Sequence, residues 1–259
     1  MPELPDLEVF SRNLSTQLKG KQVKEVIVNN HKKLNVTAEE LQKAINSQKI
    51  DRIYRSGKEL YFEFENKTIL SMHMMLNGEF HISKEEEIPK YVIIRLLFKG
   101  GTNLILTDFR GLAHATLNPE PDDTPDALAK AVDAEFFEKI LAGKKAAIKN
   151  ILMDQHVIRG IGNAYADEIL WEAGISPFSS ANKIPVSKLK SLSKAVRHVL
   201  ENAVKQISSS SPGLISGEVR DFLRIHHPKK THSPSGVPIL IKKTGARKTY
   251  YTEEQETYQ

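Results

Sequence analysis

Residues 155–170 read Gln155-His-Val-Ile-Arg-Gly-Ile-Gly-Asn-Ala-Tyr-Ala-Asp-Glu-Ile-Leu170. Gly160 and Gly162, two residues apart, allow a tight turn that leaves backbone N–H groups open to a ligand. Asn163 stands where an N-cap is expected, at the positive end of a helix able to hold a phosphate. Asp167 and Glu168 fall one turn later, where acids suit the helix dipole. Taken alone, Gly-x-Gly-Asn also fits an ordinary helix–turn–helix corner.

Around this stretch the pattern is helical. Apolar residues recur at three and four spacing over 134–142 and 145–154, then 163–173 and 186–207. The Ser-rich run 208–213 interrupts that order. Segments 237–242 and 248–251 flank a Thr-Gly-Ala turn and predict a hairpin, and the last residues, 253–259, are expected to fray. Toward the N-terminus, Leu4, Leu7, Phe10, Leu14 and Leu18 mark one amphipathic helix that Gly20 ends. Short stretches rich in Val, Ile, Leu, Phe and Tyr follow at 23–28, 50–54, 60–64, 68–74, 91–98 and 103–107, separated by turn residues. One helix and many short antiparallel strands predict a β-sandwich with a helix attached. Residues 118–125, with three prolines and three acids, read as a linker. The class is α+β, divided as 1–117 (β-sandwich), 118–131 (linker), 132–224 (helical) and 225–259 (hairpin and tail).

The chain has 259 residues, 40% hydrophobic and 27% charged, as in ordinary globular proteins. No apolar run is long enough to span a bilayer, and the start lacks a secretory pattern, so a cytoplasmic protein without membrane contact is expected. Cys is absent, which excludes disulfides and thiolate zinc sites. Net charge is +5. Between Arg220 and Tyr251 the basic residues are Arg220, Arg224, Lys229, Lys230, Lys242, Lys243, Arg247 and Lys248, with Asp221 the only acid. Such a block suits either a solvated surface or a nucleic-acid contact.

Met1-Pro-Glu-Leu-Pro-Asp-Leu-Glu8 opens the chain. Removal of Met1 is expected before a small residue such as Pro2, and would leave a free secondary amine. Such an amine attacks electrophilic carbon to give an iminium, and Glu3 beside it can move protons.

PELPDLE resembles the PELPEVE opening of the formamidopyrimidine-DNA glycosylase/endonuclease VIII family. Residues 155–170 resemble that family's helix–two-turn–helix signature, D-Q-x-x-x-x-G-I-G-N-x-Y-A-D-E-I-L. Arg55-Ser-Gly-Lys-Glu-Leu60 is similar to its R-x-G-K-x-L turn, and Gly245-Ala-Arg-Lys-Thr249 to its G-G-R-x-T tip. The resemblance spans nearly the whole chain. It implies a two-domain fold holding DNA in a cleft, with Pro2 as nucleophile and Glu3 as acid/base. Lys58, Asn163, Arg247, Arg110 and the Gly160–Gly162 turn are implied DNA contacts, with Lys58 close to the lesion and counted among the catalytic group. Asp6 stands for the family's Glu in the surroundings of the site.

Departures from the family pattern narrow the reading. His232, Ser235, Thr252 and Gln255 stand at the four Cys positions of the family's zinc finger. One imidazole among such groups makes no tetrahedral zinc site, so a zincless finger with no metal or cofactor is expected. Packing by Ile239, Ile241, Tyr250 and Tyr251 is expected to hold it. The residues that fill the gap left by an everted base become Leu76, Arg110 and Leu112, where the family has Met, Arg and Phe. Val219-Arg-Asp-Phe222 matches the string before the family's base-capping loop, but the chain then runs straight into Ile225-His-His. That puts 8-oxoguanine specificity in doubt and favours oxidised pyrimidines, ring-opened purines or abasic sites. The implied activity is a monomeric, bifunctional DNA glycosylase/AP lyase of base excision repair, acting on damaged double-stranded DNA. In a prokaryote it would associate with the nucleoid. The alternative is a catalytically weak paralogue that binds damaged or distorted DNA.

Overall fold

A computed structural model of the chain describes residues 1–84 and 88–259. They form two compact units, one of residues 1–122 with 207–218, the other of 123–206 with 219–259.

The first unit opens with helix α1 (Leu4–Leu18), whose Leu4, Leu7, Phe10, Leu14 and Leu18 are all buried. Eight strands then form two four-stranded antiparallel sheets. One sheet has the order β1 (Val23–Val28), β6 (Val92–Phe98), β7 (Thr102–Thr107), β5 (Glu79–Lys84). The other runs β2 (Ile50–Ser56), β3 (Glu59–Phe64), β4 (Ile69–His73), β8 (His114–Leu117). Alternation on β3 turns Leu60, Phe62 and Phe64 inward, as a half-buried strand requires. They meet Phe10, Phe80, Phe98 and Leu104 in one core.

Three elements go beyond the sequence expectation. Helix α2 (Ala38–Ile45) has a capping box in which Thr37 and Glu40 satisfy each other's backbone N–H groups. Strands β5 and β8 form because β7 and β4 offer them open edges, at registers Phe80↔Leu106 and Met72↔Ala115. The four residues of β8 are too few to declare a strand, and β5 offers only Phe80 and Ile82 as apolar residues.

In the second unit, α3 (Ala134–Leu141) is capped by Asp133, whose side chain accepts the Phe136 N–H at 2.9 Å. Helices α4 (Ile148–Met153), α5 (Asn163–Glu172) and α6 (Val186–Ser210) follow. The α6 helix carries through Ser208, where the Ser run had predicted a break, so context overrides a weak local preference. Strands β9 (Leu240–Thr244) and β10 (Arg247–Tyr251) make the C-terminal hairpin.

Candidate active site and nucleic-acid interface

Pro2 and Glu3 are both buried at the start of α1. Glu3 is the N-cap and Asp6 sits three residues on, fully buried, its Oδ2 accepting the Glu3 N–H at 2.8 Å. The one-methylene shortening at Asp6 therefore still reaches the peptide it must hold. With Met1 in place the Pro2 nitrogen is an amide, and the Met1 ammonium pairs with Glu218.

Lys58 lies on the two-residue turn between β2 and β3, after Gly57 at φ +58°. Positive φ at that position matches the twist of a tight hairpin. Arg55 fixes this turn. Its Nη1 donates to the Gly57 carbonyl at 3.1 Å, and its Nε to Glu8 Oε2 of α1 at 3.1 Å. The mostly buried Glu8–Arg55 pair thus ties the Lys58 hairpin to the helix that begins at Glu3.

His73, which the family overlay did not single out, adds to this corner. Its Nδ1 accepts the Met75 N–H at 2.8 Å, so in the neutral ring Nε2 carries the proton. Burial, then the neighbouring His114, then Lys58 push its pKa down to about 4.

Two connections cross between the sheets. Residues 74–78 lead from β4 to β5 and residues 108–113 from β7 to β8. Strand registers His73↔His114 and Glu79↔Thr107 join their ends in pairs, so the connections run along the same edge. Leu76 tops the first, a turn closed by Gly78 N–H to Met74 O at 2.7 Å. A Cβ on Gly78 would lie 2.3 Å from that oxygen, so only glycine fits. Buried Asp108 shapes the second by accepting the N–H groups of Arg110, Leu112 and Ala113, each at 2.8 Å. Leu76, Arg110 and Leu112 are exposed on these connections.

In the second unit, Gln155 organises the glycine turn. Its Oε1 accepts the Gly160 N–H at 2.9 Å, and its Nε2 donates to Met153 O and Ile161 O. Gly160 has φ +105°. The N-cap of α5 is Gly162, not Asn163 as expected, because the Asn163 amide turns away and donates to Lys248 O at 3.0 Å. Asn163 and Arg247 line one cavity of about 190 Å³, with Lys149, Asn150 and Thr249. Arg247 itself is exposed where β10 begins, after Gly245 at φ +61°.

Asp167 and Glu168 do not serve the helix dipole; neither lies in the first turn, and both are buried with partners. Asp167 forms a close ion pair with buried Lys149 at 2.7 Å and accepts from His226 Nδ1 at 2.7 Å and the Tyr250 N–H at 2.9 Å. Lys149 also donates to Thr249 Oγ1 at 2.8 Å. Glu168 accepts the backbone N–H groups of Arg224, Ile225 and His226 at 2.7–2.9 Å. Helix α5 therefore anchors both the hairpin and the short segment before it.

The four finger positions do not fit a zinc ion. Two of them, Ser235 and Thr252, instead donate to the Glu254 carboxylate, as do Ser233 and Trp171. Gln255 accepts the Thr252 N–H and donates to Ile175 O, both at 2.8 Å. Among the described residues no three His, Asp or Glu side chains gather as a metal site. The Ile241 side chain is exposed although its backbone pairs with Tyr250, whereas Tyr250 is buried and Tyr251 packs edge-on against Phe178 at 5.0 Å. Hydrogen bonds on Glu254 and Asp167 hold the hairpin alongside this packing. No sequence signal marks Glu254, because its partners are scattered from 171 to 252.

No helix among the described residues is long and apolar enough to cross a membrane. Residues 1–115 match the family model of the formamidopyrimidine-DNA glycosylase N-terminal domain, and residues 124–212 that of the formamidopyrimidine-DNA glycosylase H2TH domain. The chain is 31% identical over 224 residues to formamidopyrimidine-DNA glycosylase of Lactobacillus johnsonii, covering 80% of this chain and 78% of the relative. It is 28% identical over 269 residues to that of Methylococcus capsulatus, covering 97% and 98%. It is also similar to the crystal structure of wild-type Lactococcus lactis Fpg in complex with an oxidised-pyrimidine-containing DNA. That likeness has a TM-score of 0.86 and 25% identity, over 97% of this chain and 98% of the other. A Lactococcus lactis Fpg complex with abasic-site DNA matches with a TM-score of 0.87 and 25% identity, over 98% and 100%. On its motifs, its fold and these matches, the chain belongs to the formamidopyrimidine-DNA glycosylase family.

Proposed function

We propose that the chain is a DNA glycosylase with AP-lyase activity in base excision repair, using Pro2 as nucleophile. The observation that carries this reading is the Pro2–Glu3 pair at the start of α1, with the Glu3 amide held by Asp6. Once Met1 is removed, the Pro2 nitrogen has a lone pair and one proton to lose. It attacks C1′ of the damaged nucleotide, and the glycosidic bond breaks with its electron pair and a proton going to the base. Glu3 protonates the ring oxygen as the C1′–O4′ bond opens, leaving an iminium between C1′ and Pro2. Loss of a C2′ proton then expels the 3′ phosphate, and water releases the amine. No step needs a metal.

Lys58 and His73 on one unit, and Asn163 and Arg247 with the Gly160–Gly162 turn on the other, supply donors for the DNA backbone. Leu76, Arg110 and Leu112 fill the space left by the extruded nucleotide. The short, Glu168-pinned segment 224–226 favours oxidised pyrimidines, ring-opened purines and abasic sites over 8-oxoguanine. Lactococcus lactis Fpg has been captured with oxidised-pyrimidine and abasic DNA, which supports that range. Such a substrate places the protein at the chromosome. Cleavage of single-lesion duplexes by wild type and Glu3→Gln tests the proposal. Lesion-dependent nicking that Glu3→Gln abolishes is expected; binding without nicking of any lesion would instead favour a weak paralogue that only recognises distorted DNA.

A further inference from the structure

The residues that would fill the gap beside an everted base carry no ring: Leu76 and Leu112 are aliphatic, and aliphatic side chains cannot stack on a base. Yet the same loop carries an exposed aromatic. Phe109 is 60% exposed, more than Leu76 at 50% or Leu112 at 36%. Leaving most of this side chain in solvent costs the fold apolar area it could otherwise have hidden. The loop is not loose at this point. Asp108, next in the chain, is buried and accepts three backbone N–H groups, while its own N–H donates to the Tyr91 carbonyl at 3.0 Å. Phe109 is therefore held out by a rigid frame. The Arg110 guanidinium lies 5.7 Å from its ring centroid, so the aromatic face travels with a cation suited to phosphate. The paired strand ends His73↔His114 and Glu79↔Thr107 align this loop with the one that carries Leu76.

We propose that Phe109 is the base-stacking residue of this protein, supplying the aromatic contact with the base left facing the lesion that Leu112 cannot make. The inference rests on the glycosylase reading above. An aromatic at 109 and an aliphatic at 112 would divide the work, one stacking on a base and the other wedging beside it. Base–aromatic stacking tolerates any base, so the opposite-base preference should be weak.

The test uses the full-length protein and two duplexes, one intact and one with a tetrahydrofuran abasic analogue opposite 2-aminopurine. Phe109→Ala is expected to lower the preference for the abasic duplex about tenfold and to relieve quenching of the 2-aminopurine. Phe109→Tyr should keep both, and affinity for the intact duplex should not change. Because the side chain is exposed, none of these variants threatens folding. An unchanged preference and unchanged quenching in Phe109→Ala would overturn the stacking role, even with wild type forming a borohydride-trapped adduct. A wild-type protein that forms no adduct and shows no preference would overturn the glycosylase reading, and the stacking role with it.

Discussion

His73 and His114 stand directly opposite each other on β4 and β8, their rings stacked with centroids 5.3 Å apart and planes 5° from parallel. This pair closes the sheet at the edge where the two connections cross, and Lys58 lies close enough to disfavour a charge on His73. The ring therefore stays neutral at physiological pH, with Nε2–H as a donor.

The first prediction follows from that neutrality. In the unfolded chain His73 takes up a proton near its ordinary value of 6.5, whereas in the fold it does so near 4. The unfolded state then binds more protons below pH 6.5, so stability is fully present above that pH and is lost as pH falls toward 4. By linkage the loss at pH 5 is about 2 kcal/mol. The loss of stability from pH 8 to pH 5, measured by urea unfolding, should be smaller by about this amount in His73→Asn than in wild type.

Removing Asp167 should cost more than any surface change. It leaves buried Lys149 without its carboxylate and frees the Tyr250 N–H and His226. Breaking a buried pair on one side typically costs about 3–5 kcal/mol. Asp167→Ala should lower the unfolding midpoint and open the hairpin to proteolysis near Arg247. Adding Lys149→Met should recover part of the loss; no recovery would mean that the hydrogen bonds, not the charge, dominate.

The finger should be indifferent to metal. Dialysis against EDTA is expected to leave both the melting temperature and DNA cleavage unchanged. Acid should act where chelator does not. Hydrogen bonds, first from Ser235, hold the Glu254 carboxyl below its usual range. Its contribution is present above the ordinary carboxylate range and is lost as pH falls through the depressed value. Protection factors of the hairpin amides, taken relative to the intrinsic exchange rate at each pH, should fall on acidification, and Glu254→Ala should lower them already at neutral pH.

The phosphate contacts should separate by charge. Lys58→Ala and Arg247→Ala should each flatten the slope of log affinity against log salt by about 1, with losses shared across sequences. Asn163→Ala should weaken binding without changing the slope. Equal slopes in all three variants would remove Lys58 and Arg247 from the backbone contacts.

Much of this architecture was legible in the residues themselves. The five leucine and phenylalanine positions of α1, the strands with continuous β-branched and aromatic runs, and the Gly160–Asn163 turn all declare themselves locally. Helix α2 was not read, although Thr37-x-x-Glu40 is a capping-box pattern, because only Leu41 and Ile45 form its buried stripe. Strands β5 and β8 were not, because their pairing is decided by the open edges of β7 and β4. The Asn163 cap failed for a related reason: its amide had a better partner in Lys248, eighty-five residues away. Within the candidate site, Pro2, Glu3 and Arg247 could be read from short strings. Phe109 and Glu254 could not, since what marks them is exposure on a clamped loop and convergence of distant hydroxyls.

The account stands or falls on the nitrogen of Pro2. Borohydride reduction of the protein with abasic-site DNA, followed by mass mapping of the cross-linked peptide, reads that atom directly. The account predicts an adduct on an N-terminal peptide that begins at Pro2, absent once Pro2 is blocked by retained Met1. An adduct on Lys58 or another lysine, or no adduct from protein beginning at Pro2, would contradict it.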